Sequence, residues 1–220
     1  GATKADERVS LGFLPLGTGN SFLRDFGKRD LEQAITALTT RRRLACDVLT
    51  LTRDEGPVHF INLLSLGFVA DVGREANERW KRLGVAGYVL SVLTTVAKLE
   101  AKPLRLVLDE GRSWEQDAVL VSFNNSRFTG GHMMMAPYAD TSDGEIDVVV
   151  CGAFSRGALL ATFPKIFSGR HVHHHAVRSA RARAVEILDA TPTDLMIDGE
   201  VLRGTPRRID IIPHAIDVFV

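Results

Sequence analysis

"RRIDIIPHAIDVFV" (Arg207–Val220) alternates strictly. Ile209 and Ile211 oppose Arg208 and Asp210, and Ile216, Val218 and Val220 oppose Asp217 and Phe219. A period of two is the mark of half-buried β-strands, one face on a core and one face in water. The pattern predicts two strands, Arg207–Ile212 and Ile216–Val220. Working backwards, short strands are expected at Leu44–Thr52, Val58–Leu66, Leu104–Leu108, Ala118–Ser122, Ile146–Cys151, Ala184–Leu188 and Asp194–Ile197. Helical stretches interrupt them. Val69–Arg82 and Val85–Leu99 read as helices, the second with Val85, Tyr88, Val89, Val92, Leu93, Val96 and Leu99 on one face, and Ser155–Phe167 reads as another.

Before Arg43 the texture differs. Val9–Leu16 reads as a strand feeding a Gly-Thr-Gly turn and a short helix, Asn20–Phe26. A second helix is expected over Asp30–Thr40, with Asp30 as N-cap and Leu31, Ala34, Ile35 and Leu38 at helical spacing. The predicted fold is α+β: a mainly antiparallel β-sandwich domain with helical insertions over residues 43–220, preceded by a remnant of an α/β nucleotide-binding domain over residues 1–42. A strand that starts almost at once, with no earlier element to pair with, suggests the later part of a longer protein.

The 220 residues carry 27 Lys+Arg and 27 Asp+Glu, a formal net charge of zero, which argues against nucleic acid as the main partner. Cys46 and Cys151 form no C-x-x-C pair, as suits an intracellular, reducing setting. The longest uncharged helical candidate, Gly84–Ala97, falls short of the roughly 20 residues of a membrane span, so membrane contact is expected to be peripheral.

Three stretches could carry chemistry. In "LGTGNSF", backbone amides at Gly17, Thr18, Gly19 and Asn20 could approach a phosphate, with the helix dipole behind them; an ordinary strand-to-helix turn fits the spacing equally. Neither a Walker loop nor G-x-G-x-x-G is present, Phe22 standing at the third glycine position. "ADTSDGEID" gathers Asp140, Asp143 and Glu145 around Gly144, an oxygen-rich turn suited to hard cations or simply an acidic hairpin. It does not fit an EF-hand loop, because Ala139 and Val150 would fall at the first and last ligand positions. "MIDGEVL" sets Asp198 and Glu200 around Gly199 in an apolar surround, either a base for a hydroxyl proton or a tight Asp-Gly turn. Asn124, Asn125 and Asn62 read as cleft-edge or structural residues alike. The "HVHHH" run (His171–His175) reads as an exposed strand in preference to a zinc site, and Arg178, Arg181 and Arg183 as a solvated strand face in preference to a basic edge for anionic headgroups.

Taken in order, "PLGTGNSFLRDFG", "INLLSLGFVADV", "FNNSRFTGGHMMMAPYADTSDGEIDVVV" and "LMIDGEVL" resemble four successive elements of the diacylglycerol kinase catalytic-domain family, which includes bacterial lipid kinases and sphingosine and ceramide kinases. The resemblance runs from about Val9 to near the end of the chain. It implies ATP-dependent transfer of the γ-phosphate to a hydroxyl of a diacylglycerol- or sphingoid-type lipid, at a membrane surface and in a cytoplasmic, peripherally membrane-associated protein. It implies nucleotide contact at Gly17–Asn20, a structural Mg²⁺ to which Asp143 gives its carboxylate and Asp140 and Glu145 mostly backbone oxygens, and Asp198 as base with Glu200 as its partner or alternative. Homodimerisation stays open. Two departures stand out. The sequence contains no Gly-Gly-Asp-Gly-Thr loop, and Ser21 stands where many bacterial members carry Asp. Transfer by this piece alone is therefore not expected. The alternatives are a non-catalytic lipid- or nucleotide-binding module, or a kinase for a soluble substrate such as NAD.

Overall fold

A computed structural model describes residues 8–16, 19–27, 30–67, 99–109 and 111–220. The helices expected at Val69–Arg82 and over most of Val85–Leu99 lie outside the described residues. In chain order the elements are β1 (Val9–Leu11), α1 (Leu31–Thr40), β2 (Arg43–Arg53), β3 (Val58–Phe60), β4 (Leu63–Gly67), β5 (Lys102–Leu108), β6 (Arg112–Asn124), β7 (Phe128–Thr129) and β8 (Met133–Met134). Then follow β9 (Ile146–Gly152), α2 (Arg156–Thr162), β10 (Val177–Ala182), β11 (Ala184–Leu188), β12 (Thr193–Ile197), β13 (Glu200–Gly204) and β14 (Pro206–Phe219).

Among the described residues twelve strands form one curled sheet, ordered β13-β12-β4-β6-β5-β11-β14-β2-β3, with β9 joining β6 to β10 and β1 added beside β14. Each described pairing is antiparallel except β1 with β14, which is parallel. Curling lets the inward faces of distant strands meet. Leu49 and Leu51 of β2, Leu106 of β5, Phe123 of β6, Ile146 and Val148 of β9, and Ile209 of β14 share one apolar core, all of them fully buried. This is the mainly antiparallel, sandwich-like architecture that the alternation predicts. Removing such faces from water supplies the main driving force for the fold.

Several elements differ from expectation in detail. The first strand stops at Leu11, and the helix at Asn20–Phe26 is a single 3₁₀ turn, Phe22–Arg24. Val58–Leu66 breaks in two at Ile61 and Asn62, the point where the chain turns its amides towards Asp198. Ser155–Phe167 becomes α2 followed by a 3₁₀ segment, Phe163–Ser168. The histidine run is no strand: Arg170–His173 is a 3₁₀ turn in which His171 is buried and bonded through Nε2 to the Met135 carbonyl. α1 matches its expected bounds, and the Asp30 carboxylate caps it by accepting from the Gln33 amide at 2.8 Å.

Gly67 closes β4 at φ +83°, and a Cβ there would lie 2.5 Å from the Val119 carbonyl oxygen. Left-handed backbone and contact with a fixed backbone atom both oppose a side chain. Gly67→Ala is expected to lower the unfolding free energy by about 2–4 kcal/mol in a urea titration; a midpoint equal to wild type would refute the close approach.

Candidate active site

Asp198 and Gly199 form the two-residue loop between β12 and β13, both at positive φ (48° and 98°), with Ile197 paired to Glu200 across it. Asp-Gly suits such a hairpin, because both central residues must adopt the left-handed region. So the segment is a hairpin turn, and the turn itself aims the carboxylate. Asp198 Oδ1 accepts from the amides of Asn62 (3.0 Å) and Leu63 (2.9 Å), and Oδ2 accepts from the amide of Ile61 (2.9 Å). Its own N–H donates to the Leu63 carbonyl at 3.0 Å. Asp198 is an exposed residue by surface area, with its carboxylate turned onto the amides of the β3–β4 corner. Desolvation there pushes the Asp198 pKa up, and the three amides pull the other way without cancelling it. Glu200 is exposed at the start of β13.

A cavity of about 660 Å³ opens beside this turn. Asp198, Gly199 and Asn62 line one part, together with Gly19, Asn20 and Ser21 from the N-terminal glycine turn. Gly17 and Thr18 lie outside the described residues. Elsewhere the wall is apolar: Met133, Met135, Phe154, Leu159, Phe163 and Ile166 contribute. The cavity extends along the sheet. Leu63 pairs with Asn124 at one end of β6, and Leu120 with Cys151 four residues away, about 13 Å at strand spacing. One end therefore presents a carboxylate and glycine backbone, and the other could take a hydrocarbon chain. Glu200 is not among the lining residues.

Partners more than 100 residues apart brace the glycine turn. Ser21 Oγ accepts from the Gly131 amide at 2.8 Å, Arg24 Nη2 donates to His132 Nε2 at 2.6 Å, and Arg127 Nε donates to Asp25 at 2.8 Å. Burial raises the Asp25 pKa, and Arg127 opposes this. None of these partners is signalled by local sequence. Asn125 is fully buried, its Nδ2 donating to the carbonyls of Asp47 and Ile61, and Asn124 donates to Asp147 O; both act as sheet-end ties in place of a cleft edge. Asn62 does reach the cavity, and its side-chain oxygen bonds the Ser126 hydroxyl.

The acidic turn does not line this cavity. Its charges converge on Arg181, whose guanidinium lies 3.5 Å from each of Asp143, Glu145 and Asp147 and also donates to the Tyr138 carbonyl. Asp140 folds back to accept from the Ser142 amide and hydroxyl. Among the described residues no group of three or more His, Cys, Asp or Glu side chains is arranged to hold a metal ion. The Asp143 carboxylate, which the resemblance assigns to Mg²⁺, thus meets Arg181, and Asp140 and Glu145 bring their backbone oxygens into the same turn.

The fully buried Asp47, which carries no signal beyond being one acid inside an apolar strand, ties the turn down. Its Oδ2 accepts from the Gly144 amide at 2.8 Å and its Oδ1 from the His214 amide at 2.6 Å.

Asp147 makes the site pH-sensitive. Burial pushes its pKa up to about 6, Arg181 opposing, and Oδ2 has no hydrogen-bond partner. Because the folded value exceeds the ordinary 3.8, the folded state binds the extra proton between about pH 4 and 6, and stability falls as pH rises through that window. Asp147→Asn should flatten that slope and add about 1–3 kcal/mol at pH 8. Thermal melts from pH 4 to 8 that remain parallel for the two proteins would count against it. The thiols contribute no nucleophile: burial pushes Cys46 up to about 12 and raises Cys151 as well.

Comparison with known proteins supplies the context. Residues 62–220 match the family model described as the YegS C-terminal NAD kinase beta sandwich-like domain, and residues 1–51 match the diacylglycerol kinase catalytic domain. The chain is 32% identical to a diacylglycerol kinase of Mycobacterium tuberculosis, over 96% of this chain and 69% of the relative. It is 28% identical to a probable YegS-like lipid kinase of Alcanivorax borkumensis, over 98% and 71%. A Bacillus anthracis crystal structure, described as that of a candidate diacylglycerol kinase, superposes with a TM-score of 0.73 at 25% identity, covering 96% of this chain and 69% of that one.

Proposed function

The chain belongs to the family of diacylglycerol kinases and YegS-like lipid kinases and is a kinase, and from that premise we propose that it transfers the γ-phosphate of ATP to a hydroxyl of a diacylglycerol- or sphingoid-type lipid. The observation that carries this reading is the two-ended cavity, with a positioned carboxylate at one end and an apolar wall along the rest. A carboxylate offers about four acceptor positions, and three of those of Asp198 are taken by amides, two on Oδ1 and one on Oδ2. The fourth, on Oδ2, is free to receive the lipid hydroxyl.

The hydroxyl O–H bond breaks as its proton passes to Asp198 Oδ2. The oxygen bonds the γ-phosphorus, and the bridging P–O bond to the β-phosphate breaks, leaving ADP. The raised pKa brings the carboxylate closer to the value a base needs at neutral pH. Because Glu200 does not line the cavity, its part is electrostatic. Gly19 and Asn20 line the cavity beside Asp198, and the nucleotide phosphates are assigned to the Gly17–Asn20 turn on the family resemblance. Mg²⁺ would accompany the nucleotide and neutralise phosphate charge, and a structural Mg²⁺ would be held by the Asp143 carboxylate with backbone oxygens of Asp140 and Glu145.

Among the described residues no helix is long and apolar enough to cross a membrane. The family resemblance, with its lipid substrate, supports peripheral attachment to the cytoplasmic face of a membrane as the location. The boundary between nucleotide and lipid regions is placed near Arg42.

The test is ATP-dependent transfer to diacylglycerol, ceramide, sphingosine and NAD. It is run on this chain alone and on the chain joined to the N-terminal region of the M. tuberculosis relative. Labelled lipid from the joined protein is the expected outcome. NAD phosphate as the sole product, or no transfer by a folded protein, would overturn the reading.

A further inference from the structure

Although the whole chain is charge-balanced, no Asp or Glu occurs between Asp147 and Glu186, an interval holding six Lys and Arg and four His. Much of this charge gathers in one place. Lys165, Arg170, His173, His174 and His175 line an open depression of about 720 Å³, with Pro164 and Ser168 completing its wall. Among the described residues neither Lys165 nor Arg170 pairs with a carboxylate. Beside the depression Phe167 is 54% exposed, and Leu160 of α2 is 43% exposed. Phe167 lies between Lys165 and Ser168 of that wall, so an exposed aromatic ring and two cations share one face.

The same segment has an opposite face. Phe154, Leu159, Phe163 and Ile166 line the long apolar cavity described above. His174 stacks on Phe154 at 4.7 Å and on His175 at 4.3 Å, so one aromatic stack connects the cavity wall to the cationic depression.

We propose that residues 156–175 form a docking face for an anionic bilayer, with Lys165 and Arg170 meeting lipid phosphates and Phe167 entering the acyl boundary. Interfacial elements combine these two features, basic side chains for anionic headgroups and an aromatic or aliphatic residue for the hydrocarbon edge. An acidic peptide would use the cations and leave Phe167 and Leu160 in water. The placement rests on the lipid-kinase reading for its purpose: docking through this wall would bring the bilayer against the segment that lines the lipid cavity.

The experiment is sedimentation with sucrose-loaded vesicles, without nucleotide, comparing phosphatidylcholine alone with phosphatidylcholine containing 30% phosphatidylglycerol. The wild-type chain is expected to partition at least 10-fold more strongly onto the anionic vesicles. Lys165→Glu with Arg170→Glu should lower that partitioning by about 30-fold or more, and Phe167→Ser should lower it several-fold. Arg41→Glu with Arg42→Glu imposes the same charge change on exposed arginines after α1 and should leave it near wild type.

Equal partitioning onto the two vesicle types overturns the proposal, as does equal loss in the two double variants. An unaltered Phe167→Ser, with binding competed away by soluble polyglutamate, overturns it in favour of an acidic peptide. Transfer to detergent-dispersed lipid, measured separately on the joined protein, tests the kinase reading. Transfer without anionic partitioning sinks the docking face alone, and partitioning without transfer to any substrate sinks the kinase reading alone.

Discussion

Asp198→Asn lowers phosphate transfer by about 10²–10⁴-fold, the range for loss of a positioned general base. Asn keeps the size and tolerates the left-handed φ of 48°, so the hairpin itself is not strained. The chemistry changes twice. The amide nitrogen cannot take the lipid proton, and it presents N–H groups towards backbone amides that need an acceptor. One unsatisfied amide costs about 1–3 kcal/mol, so a drop of about 3–10 °C in melting temperature should accompany the lost turnover. Glu200→Gln, at an exposed site outside the cavity, should change turnover by no more than a few-fold. The two variants measured side by side decide between the carboxylates. A Gln variant as slow as the Asn variant would transfer the base to Glu200 and leave Asp198 as a strap between β12 and the β3–β4 corner.

The second large effect concerns stability. Asp47→Ala should lose about 2–4 kcal/mol, because it strands the buried amide of Gly144 and removes the acceptor of the part-buried His214 amide. The loss would spread beyond one strand. Asp47 also accepts from Asn125 through its carbonyl and donates to the Thr141 carbonyl, so β2, the acidic turn and the bend of β14 are held at one point. Urea denaturation reads this directly, and a loss below about 1 kcal/mol would show that the neighbouring backbone relaxes to satisfy itself.

The same residue explains where sequence reading stops. Alternation revealed Arg207–Ile212 and Ile216–Val220 but treated Pro213 and His214 as a gap between two strands. They form an irregularity within a single strand, β14, with His214 at φ 52° and its amide held by a carboxylate 167 residues earlier. Local pattern carries no information about such a partner. α1 was legible to its ends because its cap and its apolar face are local. β10 was legible only as a solvated strand face, and its arginines are indeed exposed; its pairing with β9 and the stacking of Arg178 on Trp114 at 4.2 Å depend on distant chain and were not.

The candidate site follows the same division. The turns at Gly19 and Asp198 announced themselves through glycine and carboxylate chemistry, and both line one cavity. The braces Ser21–Gly131 and Asp25–Arg127, and the guanidinium inside the acidic turn, depend on chain crossings that composition does not record.

The place of β14 in the sheet also sets a timetable. It pairs with β1, β2 and β11, yet it begins at Pro206, about 150 residues after β2 ends. At ribosomal speeds of about 5–20 residues per second, β2 waits about 8–30 s for its neighbour to be synthesised. During that wait β2 has β3 on one edge only, and Leu49 and Leu51, fully buried later, still lack Ile211 and Ile209 beside them. The nascent chain is therefore expected to engage holdase chaperones until β14 emerges, and slowed translation after β11 should lengthen that engagement in proportion.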